Sequence, residues 1–165
     1  MVENASSFDN LDERLMREAI NAAEFAGSLN EIPIGAVIVD SAGETLSVAG
    51  NRTRTDCDPT AHAEILALRR AAWVIGNYRL TDLTLYSTLE PCAMCAGALI
   101  QARIKRLVYG ATDKRFGAVR SKFALCDTSL LNHQIEIVAG VLENECQNLI
   151  QDFFQKRRRE QRAKL

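Results

Sequence analysis

The chain has 165 residues and a formal net charge of −1, with 47% hydrophobic and 25% charged residues. These values predict one globular domain over residues 1–165, and no apolar run is long enough to cross a membrane. The polar first residues carry no apolar signal core, so we expect a cytoplasmic protein. Cys57, Cys126 and Cys146 lack the regular spacing of a secreted disulfide framework, so we expect them to be reduced, with no assigned role.

The hydrophobic pattern predicts helices and strands that alternate along the chain. In chain order we expect a helix from Leu11 to Ala26 capped by Asp9, strands Gly35–Val39 and Thr45–Ala49 joined as a hairpin, helix His62–Ile75, strand Leu83–Thr88, helix Cys92–Ala102, strands Arg106–Tyr109 and Ile135–Ala139, and a final basic helix over about 143–165. This alternation predicts an α/β fold, a three-layer α/β/α sandwich around a central mixed five-stranded sheet.

The start of the second helix and the start of the third carry zinc-ligand-type residues. His62 is followed by Glu64 two residues later, and Pro91 precedes the pair Cys92 and Cys95. One imidazole and two thiolates favour Zn²⁺ and leave its fourth coordination position for water. Glu64 is close enough to that water to carry protons without binding metal. The pattern therefore predicts metal-assisted hydrolysis, with Glu64 catalytic and one Zn²⁺ as cofactor.

A C-x-x-C pair alone also fits a redox motif or half of a structural zinc ribbon. A ribbon needs a second ligand pair, and a thioredoxin-like motif has no use for an upstream H-x-E. The combination of His62, Glu64, Cys92 and Cys95 therefore favours a catalytic zinc site.

The H-x-E and P-C-x-x-C motifs resemble those of the cytidine-deaminase-like zinc hydrolases, which share this signature and division of roles. The surrounding sequence is similar to the tRNA adenosine deaminases of that family from about Leu15 to Arg159. The similar segments include Asn51–Arg52, Asp58–Glu64, Thr88–Cys92, Gly110–Asp113, Leu131–His133 and Asp152–Phe154. The resemblance implies a cytidine deaminase-like fold, a homodimer, and deamination of adenosine at the wobble position of a tRNA anticodon, with an arginine tRNA as the expected acceptor.

The resemblance also implies roles for residues outside the metal site. The residue matching Asn51 contacts the flipped nucleoside, and the one matching Asp113 contacts the ribose of a neighbouring nucleotide. Residues matching His133, Phe153, Phe154, Arg157 and Arg158 lie along the RNA-facing side. Structural roles remain open for several of them: Asn51 as a turn former, Asp113 as a loop cap, and the two phenylalanines as core of the terminal helix.

Charge is concentrated at the carboxyl end. The last ten residues carry six cations against Glu160, which suits contacts to the phosphates of a tRNA anticodon stem-loop. The same composition is typical of a solvent-exposed helix end, where cations interact favourably with the helix dipole.

The segment 114–123 is also bulkier and more basic than in common members of the family. This difference affects a loop that adjoins the substrate in the family, so RNA contacts there can differ.

Two other functions stay open. One is a deaminase of the same fold acting on a free base, nucleoside or nucleotide such as guanine or deoxycytidylate. The other is a non-catalytic RNA-binding subunit that keeps zinc for stability, although Glu64 would have no structural role at such a zinc site.

Overall fold

The structure is a computed structural model and describes residues 10–163. Its elements in chain order are α1 (Asn10–Ser28), β1 (Gly35–Val39), β2 (Thr45–Gly50), α2 (Ala63–Ile75), β3 (Thr84–Leu89), α3 (Ala93–Gln101), β4 (Arg106–Ala111), β5 (Glu136–Ala139) and α4 (Glu143–Arg162). These bounds lie close to the predicted ones. The expected cap Asp9 lies outside the described residues.

The five strands form one mixed sheet in the order β2-β1-β3-β4-β5. Strand β1 is antiparallel to β2 and β3, whereas β3, β4 and β5 run parallel. The carboxyl ends of β3 and β4 therefore lie side by side, as the pairing of Leu89 with Ala111 shows. The predicted mixed five-stranded sheet is confirmed.

Helices cover both faces of the sheet. Ile38, Leu85 and Leu107 point to the face covered by α2 and α3, where they pack with residues such as Ala67 and Leu99. Val37, Tyr86 and Val108 alternate with them and pack against α1 and α4 on the other face. The three-layer α/β/α architecture is therefore confirmed.

Two contacts show how tightly helices approach the sheet. A Cβ on Gly35 would overlap the carbonyl oxygen of Ala19, so only glycine lets α1 lie directly on the start of β1. On the other face, the Arg70 guanidinium of α2 donates to the carbonyl of Val48 on the edge strand β2. None of the helices in residues 10–163 combines the length and hydrophobicity of a membrane-spanning segment.

A buried ion pair joins α1 to the sheet. Both carboxylate oxygens of Asp12 accept hydrogen bonds from Arg106, at 2.8 and 2.7 Å, and Tyr86 donates a third at 2.6 Å. Burial disfavours the Asp12 carboxylate, but the Arg106 and Tyr86 hydrogen bonds outweigh it and lower the pKa of Asp12.

Asp12→Ala should therefore lower the free energy of unfolding by about 3 kcal/mol, because Arg106 would keep a partly buried charge without its main partner. The destabilisation should be largest above the ordinary carboxyl pKa of 3.8. It should shrink as pH falls through the lower pKa of the folded state, because Asp12 is then protonated in both the folded and the unfolded wild type. Urea unfolding at several pH values measures this. Glu13→Ala, a change of the adjacent acid, is the control, and an equal loss there would contradict the assignment.

Candidate metal and catalytic site

The ligand-type residues lie at two helix starts on the same face of the sheet. His62 is the N-cap of α2 and Cys92 the N-cap of α3, both with extended backbone. The predicted helices His62–Ile75 and Cys92–Ala102 each begin one residue later in the structure, at Ala63 and Ala93, so both ligand-type residues are caps. Neither side chain forms a capping hydrogen bond with the helix that it precedes, so both are available to bind a metal.

The three side chains meet at one point. The Nδ1 atom of His62 lies 3.7 Å from Sγ of Cys92 and 3.5 Å from Sγ of Cys95, and all three ligand atoms lie within 4.8 Å of one another. A nitrogen and a sulfur on a tetrahedral zinc ion would be about 3.6 Å apart, given Zn–N near 2.05 Å and Zn–S near 2.3 Å. The donor set and its spacing therefore fit a zinc ion.

The protonation of the cluster follows from the same contacts. The Cys95 thiol and the His62 imidazole stabilise the Cys92 thiolate and lower its pKa to about 4. The hydrogen bond to Cys92, together with burial, raises the pKa of Cys95. A metal ion bound by both sulfurs would displace the Cys95 proton.

Glu64 lies in the first turn of α2, and only 3% of its surface is exposed. Burial raises the pKa of its carboxyl group. Oε1 lies 3.4 Å from Oγ of Ser87, which is also 2.7 Å from the Leu89 carbonyl, while Oε2 has no hydrogen-bond partner within the described residues. A buried carboxylate oxygen without a partner is rare in proteins, and this one fits a group that receives a proton from a bound water.

Asn51 follows β2 and is buried beside this cluster. Its Oδ1 accepts a hydrogen bond from the Ala63 N–H at 2.8 Å, which satisfies an amide at the start of α2 that His62 leaves uncapped. With the oxygen engaged, the Nδ2 group of Asn51 is the end that can donate to a ligand.

Asp113 follows β4, and its side chain caps its own loop. Oδ1 accepts from the N–H groups of Arg115 and Phe116, at 2.9 and 3.1 Å. The same loop returns to the metal segment, since Gly117 forms an antiparallel bridge with Cys92. The loop-cap role of Asp113 is thus present, and a contact with ribose stays a prediction.

The buried side chain of Glu90 anchors this loop, residues 113–121, to the metal segment. Its Oε1 accepts from the N–H groups of Arg120 and Ser121, at 2.9 and 3.0 Å, and its Oε2 accepts from the Asp113 N–H at 3.1 Å and from the Ser121 hydroxyl. Burial disfavours the carboxylate, but these hydrogen bonds outweigh it and lower the pKa of Glu90. Glu90 is two residues before Cys92, so these hydrogen bonds fix the position of the loop relative to the metal segment.

Glu90→Gln should lower the free energy of unfolding by about 3 kcal/mol, because the new amide group would face two donors and leave them unsatisfied. Zinc content should not change, since no ligand is altered. Urea unfolding and metal analysis measure the two effects. Glu44→Gln on the exposed β1–β2 hairpin is the control, and full stability of Glu90→Gln would exclude the anchoring role.

A second buried carboxylate, Glu31, holds the loop that leads to His62. It accepts from the N–H groups of Arg54 and Thr55 and from the hydroxyls of Thr53 and Thr55. The sequence motifs did not point to Ser87, Glu31 or Glu90. Glu90 adjoins the P-C-x-x-C motif and could have been noticed there, but the partners of Glu31 and Glu90 are mostly main-chain amides, which leave no pattern in a sequence.

The structure does not bring His133 to this cluster. Nε2 of His133 lies 2.7 Å from the carbonyl oxygen of Ile104, just before β4, whereas the metal segment follows the carboxyl end of the parallel strand β3. His133 therefore lies at the opposite end of the sheet, and an RNA contact from it stays a prediction.

The basic half of α4 lies nearer to the metal site than His133 does. Phe153, Lys156 and Arg157 line a groove of about 230 Å³ together with Asn30 and Pro33, which precede β1 at the metal end of the sheet. The Arg157 guanidinium stacks on the half-buried Phe153 ring at 5.5 Å, and Phe153 meets Phe154 edge to face. Phe154 and Arg158 are exposed. Their RNA contacts stay predictions.

Comparisons with known proteins agree with this geometry. A family model described as MafB19-like deaminase matches residues 10–158. A tRNA-specific adenosine deaminase of Haemophilus influenzae is 51% identical over 151 residues, or 92% of this chain and 87% of the relative. A solved structure from work on A-to-I editing by tRNA:A34 deaminases at the wobble position of transfer RNA is 43% identical, with a TM-score of 0.79 over 82% of this chain and 98% of that one. The X-ray structure of a guanine deaminase from Bacillus subtilis is 33% identical, with a TM-score of 0.62 over 78% and 83%. The chain therefore belongs to the MafB19-like deaminase family and is a relative of the tRNA-specific adenosine deaminases.

Proposed function

We propose that this chain converts adenosine to inosine at the wobble position of a tRNA anticodon, with zinc held by His62, Cys92 and Cys95. The observation that carries the proposal is the meeting of these side chains beside a buried carboxylate, Glu64. The higher identity to tRNA deaminases, 51% and 43%, than to a guanine deaminase, 33%, favours the tRNA substrate over a free base. We expect an arginine tRNA as the acceptor.

Zinc bound there supplies Lewis-acid chemistry that makes water nucleophilic at neutral pH. Glu64 receives the proton that the water loses and donates it to the ring nitrogen adjacent to carbon 6. The water oxygen bonds to carbon 6, and Glu64 then moves the second proton of that oxygen to the exocyclic amine, so that the carbon–nitrogen bond breaks, the oxygen stays as the carbonyl of inosine and ammonia leaves. Its raised pKa suits a group that must hold a proton in part of the cycle.

Other residues of this chain would hold the substrate. The free amide group of Asn51 would donate to the nucleoside, and Asp113 would contact the neighbouring ribose. Exposed cations on α4 would bind phosphates of the anticodon stem-loop. The homodimer and the cytoplasmic location belong to the same proposal, and sedimentation of the purified protein tests the dimer.

The test compares an anticodon stem-loop carrying wobble adenosine with free adenosine, cytidine, guanine and deoxycytidylate. Ammonia and inosine are measured for the zinc-loaded protein. We expect both products from the stem-loop and little from the free compounds. Ammonia from a free compound with none from the stem-loop would instead support a deaminase of free bases, nucleosides or nucleotides. No product from any substrate would support a non-catalytic RNA-binding subunit.

A further inference from the structure

We propose that Phe116, with Arg115 beside it, forms a stacking contact for an unpaired base next to the target adenosine. This inference rests on the proposed function, because it takes a single-stranded RNA loop as substrate. Phe116 is 66% exposed, and the Arg115 guanidinium lies 6.0 Å from the centre of its ring. An aromatic ring with a cation beside it presents a surface that suits a nucleotide base.

The position of Phe116 relative to the metal site follows from the backbone. Gly117 is bridged to Cys92, and bridged residues have Cα atoms about 5 Å apart. Consecutive Cα atoms are about 3.8 Å apart, so the Cα of Phe116 lies within about 9 Å of the Cα of Cys92. A base that neighbours a nucleoside bound at the metal is within reach of the ring.

The backbone that carries Phe116 is held in place before any ligand arrives. The N–H of Phe116 donates to Asp113, the Gly117 N–H donates to the Asp113 carbonyl at 2.9 Å, and Glu90 anchors both ends of the loop. A Cβ on Gly117 would overlap the Glu90 carboxylate, so this packing also requires glycine. A fixed platform loses little conformational freedom on binding.

The charge around Phe116 suits a nucleic-acid partner. Segment 114–123 contains four cations and no acid, and Arg120 is the cation of the four that is paired, with Asp127 at 2.7 Å. Lys114, Arg115 and Lys122 therefore remain for phosphates. Stacking on an aromatic side chain is a common way for proteins to hold the unstacked bases of RNA loops.

The test measures binding of a labelled anticodon stem-loop to the zinc-loaded full chain carrying Glu64→Ala, so that the RNA is not consumed. Adding Phe116→Ala should raise Kd on the order of 10-fold, and adding Phe116→Tyr instead should restore binding. The slope of log Kd against log salt should not change, because the ring carries no charge. The matched control is Tyr78→Ala: Tyr78 is 67% exposed with Arg79 at 5.5 Å, but lies between α2 and β3 at the opposite end of the sheet.

A second arm identifies the base. An abasic nucleotide on one side of the wobble adenosine should weaken binding to the Phe116 protein by a similar factor and leave the Phe116→Ala protein unaffected. Equal binding by Phe116→Ala and its parent would overturn the proposal, and so would a weakening that follows loss of a dimer in sedimentation. A wild-type chain that neither binds nor deaminates the stem-loop would instead reject the proposed function itself, and the stacking contact with it.

Discussion

Replacing Glu64 with alanine is expected to lower turnover of a wobble-adenosine stem-loop by about 10³-fold and to leave the zinc content unchanged. The reason is that proton transfer and metal binding are carried out by different residues of the site. Glu64 is outside the cluster formed by His62, Cys92 and Cys95, and its Oε2 atom has no partner among residues 10–163. Removing it takes away the proton carrier without removing a ligand.

Glu64→Gln tests proton transfer more specifically. The glutamine side chain keeps the size and polarity of glutamate but cannot exchange a proton at neutral pH. It should be as inactive as the alanine variant. Glu44→Ala, on the β1–β2 hairpin, is the control for loss of an acid elsewhere. An active Glu64→Gln protein would show that the carboxylate does not carry protons. Loss of zinc equal to the loss of activity would show that Glu64 is needed to hold the metal, so the separation of roles would be wrong.

Cys95→Ala should remove both zinc and activity. Two donors, His62 and Cys92, would remain, and a stable zinc site needs at least three protein ligands. Metal analysis after dialysis and the stem-loop assay measure the two losses. Added chelator should then no longer change the melting temperature of this variant, whereas it should lower that of the wild type.

Cys126→Ala is the matched control, since Cys126 is also buried but lies outside the cluster. Burial raises the pKa of Cys126 to about 12, so its thiol is protonated at neutral pH and is a poor ligand. The variant should keep its zinc. If Cys126→Ala lost as much zinc as Cys95→Ala, the assignment of ligands would be wrong.

Much of this architecture could be predicted because its signals are local. Short apolar runs such as Gly35–Val39 marked the strands, and the short spacing within H-x-E and C-x-x-C marked residues that must lie close together. The order of strands and the contacts of Asn51, Glu31 and Glu90 could not be predicted, because they join segments that are distant in the sequence. The contact of His133 with the Ile104 carbonyl is a similar case, because it also joins two residues that are distant in the sequence.

The Arg70 contact with Val48 bears on how the protein behaves in concentrated solution. Strand β2 is at the margin of the sheet, where free carbonyl and amide groups can template pairing with another molecule. The guanidinium occupies one of those carbonyls and places a positive charge there, so two such margins approaching each other would meet repulsion and a blocked acceptor. Arg70 should therefore disfavour pairing between the edge strands of two molecules, and this contribution involves no catalytic residue.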